Sequence, residues 1–253
     1  MRFLPVLSIF FLSLSEIVVA TPTGDLFVNK KRSFDGESAS LFRRVGSEFL
    51  GFHGTYTANA ETYMKAGRAG KSLPVLSSGY NGADAELGPG LYATDHVETA
   101  MFFANTAANA RKLKDKAVKP MVCGVEAIES EPWRTQVPKI WIPHDKVAKL
   151  VKGHNNPALL KDQESLITHA GFKVADTVRF SPLDIDNLAA GKPVVSGNQF
   201  SLPTTQFPKV YIRSCIDITG QTAAQVLAHF KQLGWPDRDF SSAQFRTDWH
   251  IHA

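Results

Sequence analysis

The chain has 253 residues, 28 Lys and Arg against 24 Asp and Glu, and a net charge of +4, with 43% apolar residues. That is enough for one packed domain with an appendage. The charge is spread along the chain with no dense Lys/Arg tract between aromatics, which excludes nucleic acid as an expected partner.

Residues 1–20 read as a secretory signal peptide. Arg2 precedes an apolar stretch that runs to Ala20, and Val18 and Ala20 suit the small-residue positions of a cleavage site. No later stretch is apolar enough to span a bilayer. The mature protein is therefore expected to be secreted, and a monomer is expected. Residues 21–45 are polar and aperiodic. They form a flexible leader, or a pro-segment ending at the basic cluster Lys30-Lys31-Arg32.

From residue 46 the pattern becomes structured. Residues 48–55 (EFLGFHGT) read as a strand. Residues 58–66 read as a helix, with Thr57 as its cap and Gly67 as its stop. A Gly- and Pro-rich loop extends to residue 90. GLYATD is a second strand. Residues 96–112 are a helix with Ala100, Phe103, Ala104, Ala107 and Ala108 at helical spacing, opened by Asp95. Further strands are expected at 121–128, 139–142, 165–168, 172–180 and 209–218, with a short helix at 144–151. Residues 222–233 are an amphipathic helix, and the aromatic tail with Trp235, Phe240, Phe245 and Trp249 is expected to dock. Two cysteines, Cys123 and Cys215, lie in strand-like runs. In an exported chain their even number points to one disulfide, with two buried thiols as the alternative. The sum is an α+β domain over 46–204, with a strand–helix extension, 205–253, packed on it.

One set of groups carries chemistry. His53, Gly54 and Thr55 end the first strand, Tyr92 sits in the second after a Gly-rich turn, and Phe103 lies on the helix behind it. This order, an HGT strand, a Gly-rich loop, a GLY strand and an Ala-rich aromatic helix, resembles the NAD-binding core of the ADP-ribosyltransferases, in the branch with a His, Tyr and Glu triad. The match covers roughly residues 48–182. The resemblance implies a split β-sandwich with flanking helices and an NAD-consuming enzyme, a toxin or effector that moves ADP-ribose to a protein acceptor. Plain NAD hydrolysis and an inactive interaction protein of the same fold are the alternatives. By the same resemblance His53 holds a ribose hydroxyl and the Gly54 backbone holds the carboxamide, with Thr55 beside them. Tyr92 and Phe103 sandwich the nicotinamide.

The family's Glu opens a later strand. Its expected match is Glu164 in KDQESLITHAGF, with Glu129 or Glu131 as the competitor. A carboxylate there stabilises the oxocarbenium-like ribose that forms as nicotinamide leaves. NAD is the expected substrate, and no metal is expected. The loops 67–90 and 150–163 are expected to choose the acceptor.

Overall fold

A computed structural model of the protein describes residues 46–76, 86–147, 157–183, 197–235 and 238–253. The expected signal peptide and leader lie outside the described residues, as do 148–151 of the short helix and residues 77–85 and 150–156 of the acceptor loops. In chain order the elements are β1 (Glu48–Tyr56), α1 (Thr57–Arg68), β2 (Leu91–Thr94), α2 (Val97–Lys112), β3 (Pro120–Ala127), α3 (Ser130–Gln136) and β4 (Lys139–Trp141). They continue with α4 (Pro157–His169), β5 (Val178–Pro182), β6 (Asn198–Leu202), β7 (Val210–Tyr211), β8 (Cys215–Asp217), α5 (Ala223–Gln232) and α6 (Ala243–Asp248).

The class is α+β. The described strands form one mixed sheet in the order β4-β5-β6-β2-β1-β3-β7, and β8 also pairs β3. Among the described strands only β4 and β5 pair in parallel. Where a split sandwich was expected, the ladder hydrogen bonds form a single path, and it narrows sharply in the middle. β1 pairs β3 from Glu48↔Ala127 to Tyr56↔Pro120, yet it meets β2 at one position, Phe52↔Thr94. The cavity described below lies beside that pinch.

Small residues set the approach of α2 to β1. Ala100, Ala104 and Ala108 form a buried stripe four residues apart. Facing them is Gly54, where a Cβ atom would stand 2.0 Å from the Ala100 carbonyl oxygen and 2.7 Å from the Ala104 nitrogen. Behind this contact Phe49, Phe52, Val122, Val226 and Phe230 make one apolar cluster. The ring of Trp235 stacks on Phe49 and Phe230. A second cluster joins Leu50, Phe180, Phe200, Phe240, Trp133 and Trp249. The aromatic tail thus docks, as its composition implied.

Several sequence expectations change. Gly67 does not end α1; it is buried inside the helix, where a Cβ would meet the Ile212 carbonyl at 2.2 Å. Asp95 does not cap α2, whose N-cap is His96 without a side-chain bond. Its carboxylate instead accepts from the Asn198 backbone (2.8 Å), Asn198 Nδ2 (2.7 Å) and the Phe240 N–H (3.0 Å), tying the end of β2 to β6 and the tail. Residues 165–168 are not a strand but part of α4. Buried Gln163 and Ile167 lie one turn apart on its inner side, Pro157 occupies its first turn, and Gly171 follows at φ +80°. The expected strand 172–180 is a short 3₁₀ turn, Val174–Asp176, and then β5.

The run 209–218 is broken into β7 and β8, which both pair β3. Residues 205–253 are therefore not an extension laid on a finished core, because they supply two strands of the sheet. β8 sets Cys215 directly opposite Cys123, and the two are bonded. The helix at 222–233 appears with Thr222 as N-cap, in a reciprocal capping box with Gln225.

Candidate functional site

β1 and β2 frame a cavity of about 430 Å³ beside their single ladder pair. Its walls bring together His53, Gly54 and Thr55 of β1, Tyr92 of β2 and Phe103 of α2. Each of these was expected at one site from sequence. α1 adds Asn59 and Tyr63, β6 adds Gln199, and Arg111 of α2 stands at the rim.

The His53 ring is held by one bond. Its Nδ1 lies 2.7 Å from the Tyr92 carbonyl oxygen, linking the two strands next to their last ladder pair. A carbonyl only accepts, so Nδ1 carries the proton and Nε2 of the neutral ring is an acceptor. Burial lowers the His53 pKa from its ordinary 6.5, against the smaller opposing effect of the bond to Tyr92, so the ring is held neutral. The ring of Tyr63 meets it edge-on at 5.8 Å.

Tyr92 lines the cavity, and its hydroxyl serves the turn before β2. It accepts from the Leu87 N–H at 2.8 Å and donates to the Gly88 carbonyl at 2.8 Å. Burial raises its pKa far above the usual tyrosine value, so it remains a donor. Arg179 braces the same turn, donating to the Leu87 carbonyl at 2.8 Å. Gly88, at φ +79°, leaves room for that guanidinium, since a Cβ there would lie 2.8 Å from it. The absent side chain of Gly54 is explained by the crossing of α2, a packing reason besides the expected one of backbone access.

The carboxylate expected at the site is elsewhere. Glu164 is exposed on α4 and does not line the cavity; its field reaches Arg179. Glu129 and Glu131 are exposed at the start of α3, also away from the cavity. Among the described residues no Asp or Glu lines the cavity. The strand beside β2 is β6, with Tyr92↔Ser201 and Thr94↔Gln199 as register pairs. The sequence expectations hold no strand there, because Pro, Gly and Ser follow residue 181; the alternation of QFSL after Gly197 is its only signal. From it Gln199 enters the cavity wall, and its Nε2 donates to Glu86 Oε2 at 2.7 Å.

The rim is cationic. The Arg111 guanidinium lies 5.3 Å from the centre of the Tyr56 ring. Among the described residues no cluster of His, Cys, Asp and Glu has the makings of a metal site, and no helix is long and apolar enough to cross a membrane. The sequence matches no protein-family model and no curated protein.

Proposed function

We propose that this cavity holds the nicotinamide–ribose end of NAD and that the chain is a secreted, NAD-dependent mono-ADP-ribosyltransferase acting on a protein acceptor, as a toxin or effector. The observation that carries the reading is the convergence of His53, Gly54, Thr55, Tyr92 and Phe103 on one cavity, although they come from three elements. In this reading the Tyr92 and Phe103 rings flank the pyridinium, His53 Nε2 accepts from a ribose hydroxyl, and Arg111 meets the diphosphate at the rim. The bond broken is that between ribose C1′ and the ring nitrogen. Its electron pair stays with nicotinamide, which leaves neutral, so no general acid is needed. The acceptor's oxygen or nitrogen adds to C1′ and gives up a proton to solvent. With water as the acceptor the products are ADP-ribose, nicotinamide and a proton.

A second reading has its own support. With an amide, Gln199, on the wall where a carboxylate was expected, the fold serves as an NAD-binding interaction protein with little or no turnover. One experiment separates the two: titrate the mature protein with NAD and follow nicotinamide release, for wild type and His53→Ala. Binding with release that His53→Ala abolishes supports the enzyme, and binding without release supports the second reading. Neither binding nor release sinks both. Labelled NAD with a cell lysate then distinguishes transfer from hydrolysis. Glu164→Ala is expected to leave NAD binding and release unchanged.

A further inference from the structure

The pair Glu86–Gln199 is unexplained by packing alone. Both side chains are buried, at 6% and 4% exposure. They are 113 residues apart in the chain, yet meet at 2.7 Å. A carboxylate can only accept, so the amide must turn its nitrogen toward Glu86. The other end of the amide, Oε1, is thereby the acceptor that Gln199, a residue lining the cavity, can offer a ligand. Glu86 is itself held in place, for its backbone carbonyl accepts from Gln163 Nε2 at 2.9 Å, and α4 thereby steadies the turn. Without the carboxylate, the amide of Gln199 would be free to rotate and offer either end.

We propose, resting on the NAD reading above, that Glu86 is a positioning residue which locks Gln199 as a hydrogen-bond acceptor, and that the inner wall therefore selects a ligand bringing donors, the vicinal hydroxyls of a ribose. Two neutral acceptors, Gln199 Oε1 and His53 Nε2, then serve the diol. Glu86 stands behind the wall and acts on the ligand through the amide. Burying the amide with its acceptor facing inward costs little while a ligand donor meets it and more when none does, which is the basis of selection.

The test is a double-mutant cycle on NAD affinity, by calorimetric titration of the full mature chain. Glu86→Leu and Gln199→Leu are each expected to weaken NAD by about tenfold, the effect of one hydrogen bond. The double variant is expected to be no weaker than Gln199→Leu alone, because Glu86 acts only through the amide. Glu86→Gln, which keeps an acceptor for Gln199, is expected to restore most of the affinity, a rescue that a merely structural role would not require. Independent, additive losses overturn the positioning role, as does a folded Glu86→Leu that binds like wild type. Should Glu86→Leu fail to fold, an unchanged affinity in Gln199→Leu overturns it as well. Wild-type protein that does not bind NAD overturns the reading of the site and the positioning role together, whereas binding with an indifferent Glu86 overturns the positioning role alone.

Discussion

His53 and Tyr92 divide their duties between ligand and scaffold. Because Nδ1 donates to the Tyr92 carbonyl and burial depresses the ring's pKa from 6.5, His53 binds a ligand as a neutral acceptor. NAD affinity is expected to be level above pH 6.5 and to fall only below it, as the proton enters Nε2. The stability linkage has the same sign: the unfolded chain takes up the proton first as pH falls, so this contribution is present above 6.5 and is lost on acidification. Titration with NAD from about pH 5 to about pH 8 checks this, and affinity that grows on acidification would contradict it. Tyr92→Phe keeps the ring face and deletes both bonds to the Leu87–Gly88 turn. It is expected to cost about 1–3 kcal/mol of stability, read by denaturant melts, with a smaller effect on NAD binding.

The site depends on how closely elements approach. Gly54→Ala puts a methyl group within 2.0 Å of the α2 backbone, so the helix must lift from β1 and carry Phe103 with it. Loss of stability of about 1–3 kcal/mol, together with loss of NAD binding, is expected in thermal melts and titration. Native-like binding by this variant would show that α2 can shift without disturbing the cavity. The disulfide pins β8 to β3, Cys123 to Cys215, across a separation of 92 residues. Reduction, or Cys215→Ser, is expected to remove about 2–5 kcal/mol, seen as a lower melting temperature in reductant. The bond suits an oxidising compartment, in keeping with the proposed secretion. Buried charge also joins elements: Glu48 of β1 accepts from Arg134 Nε at 2.7 Å, Ser130 Oγ at 2.9 Å and Arg238 at 3.2 Å. Lys139, pulled down to about 7 by burial, donates to the Trp133, Arg134 and Val137 carbonyls at the end of α3. No periodic pattern in the sequence announces either group, since both are ionisable residues in the core.

Taken whole, the molecule cannot be cut at residue 204. β7, the residue that follows β8, α5 and the aromatic tail supply Val210, Ile218, Phe230, Phe240 and Trp249 to the buried clusters. Deleting 205–253 is expected to leave no cooperative unfolding transition; a truncated chain that melts cooperatively would restore the idea of a separable extension. The chain itself announced the strand with His53 and Gly54, the strand with Tyr92, the alanine stripe of α2, the amphipathic helix α5 and the docking of the tail. Each of these is written in neighbours along the chain: alternation in strands and fourfold spacing in helices. The run Ser165–Thr168 misled because Leu166 and Ile167 look like a short strand when the preceding turn of α4 is ignored. The partner of β2 was out of reach. β6 is five residues long and pairs with a strand about a hundred residues away, and local propensity does not act over such distances. Only the folded sheet decided that Gln199, with Glu86 behind it, and not Glu164, faces the cavity that holds His53, because ladder pairing and core packing are settled among residues remote in sequence.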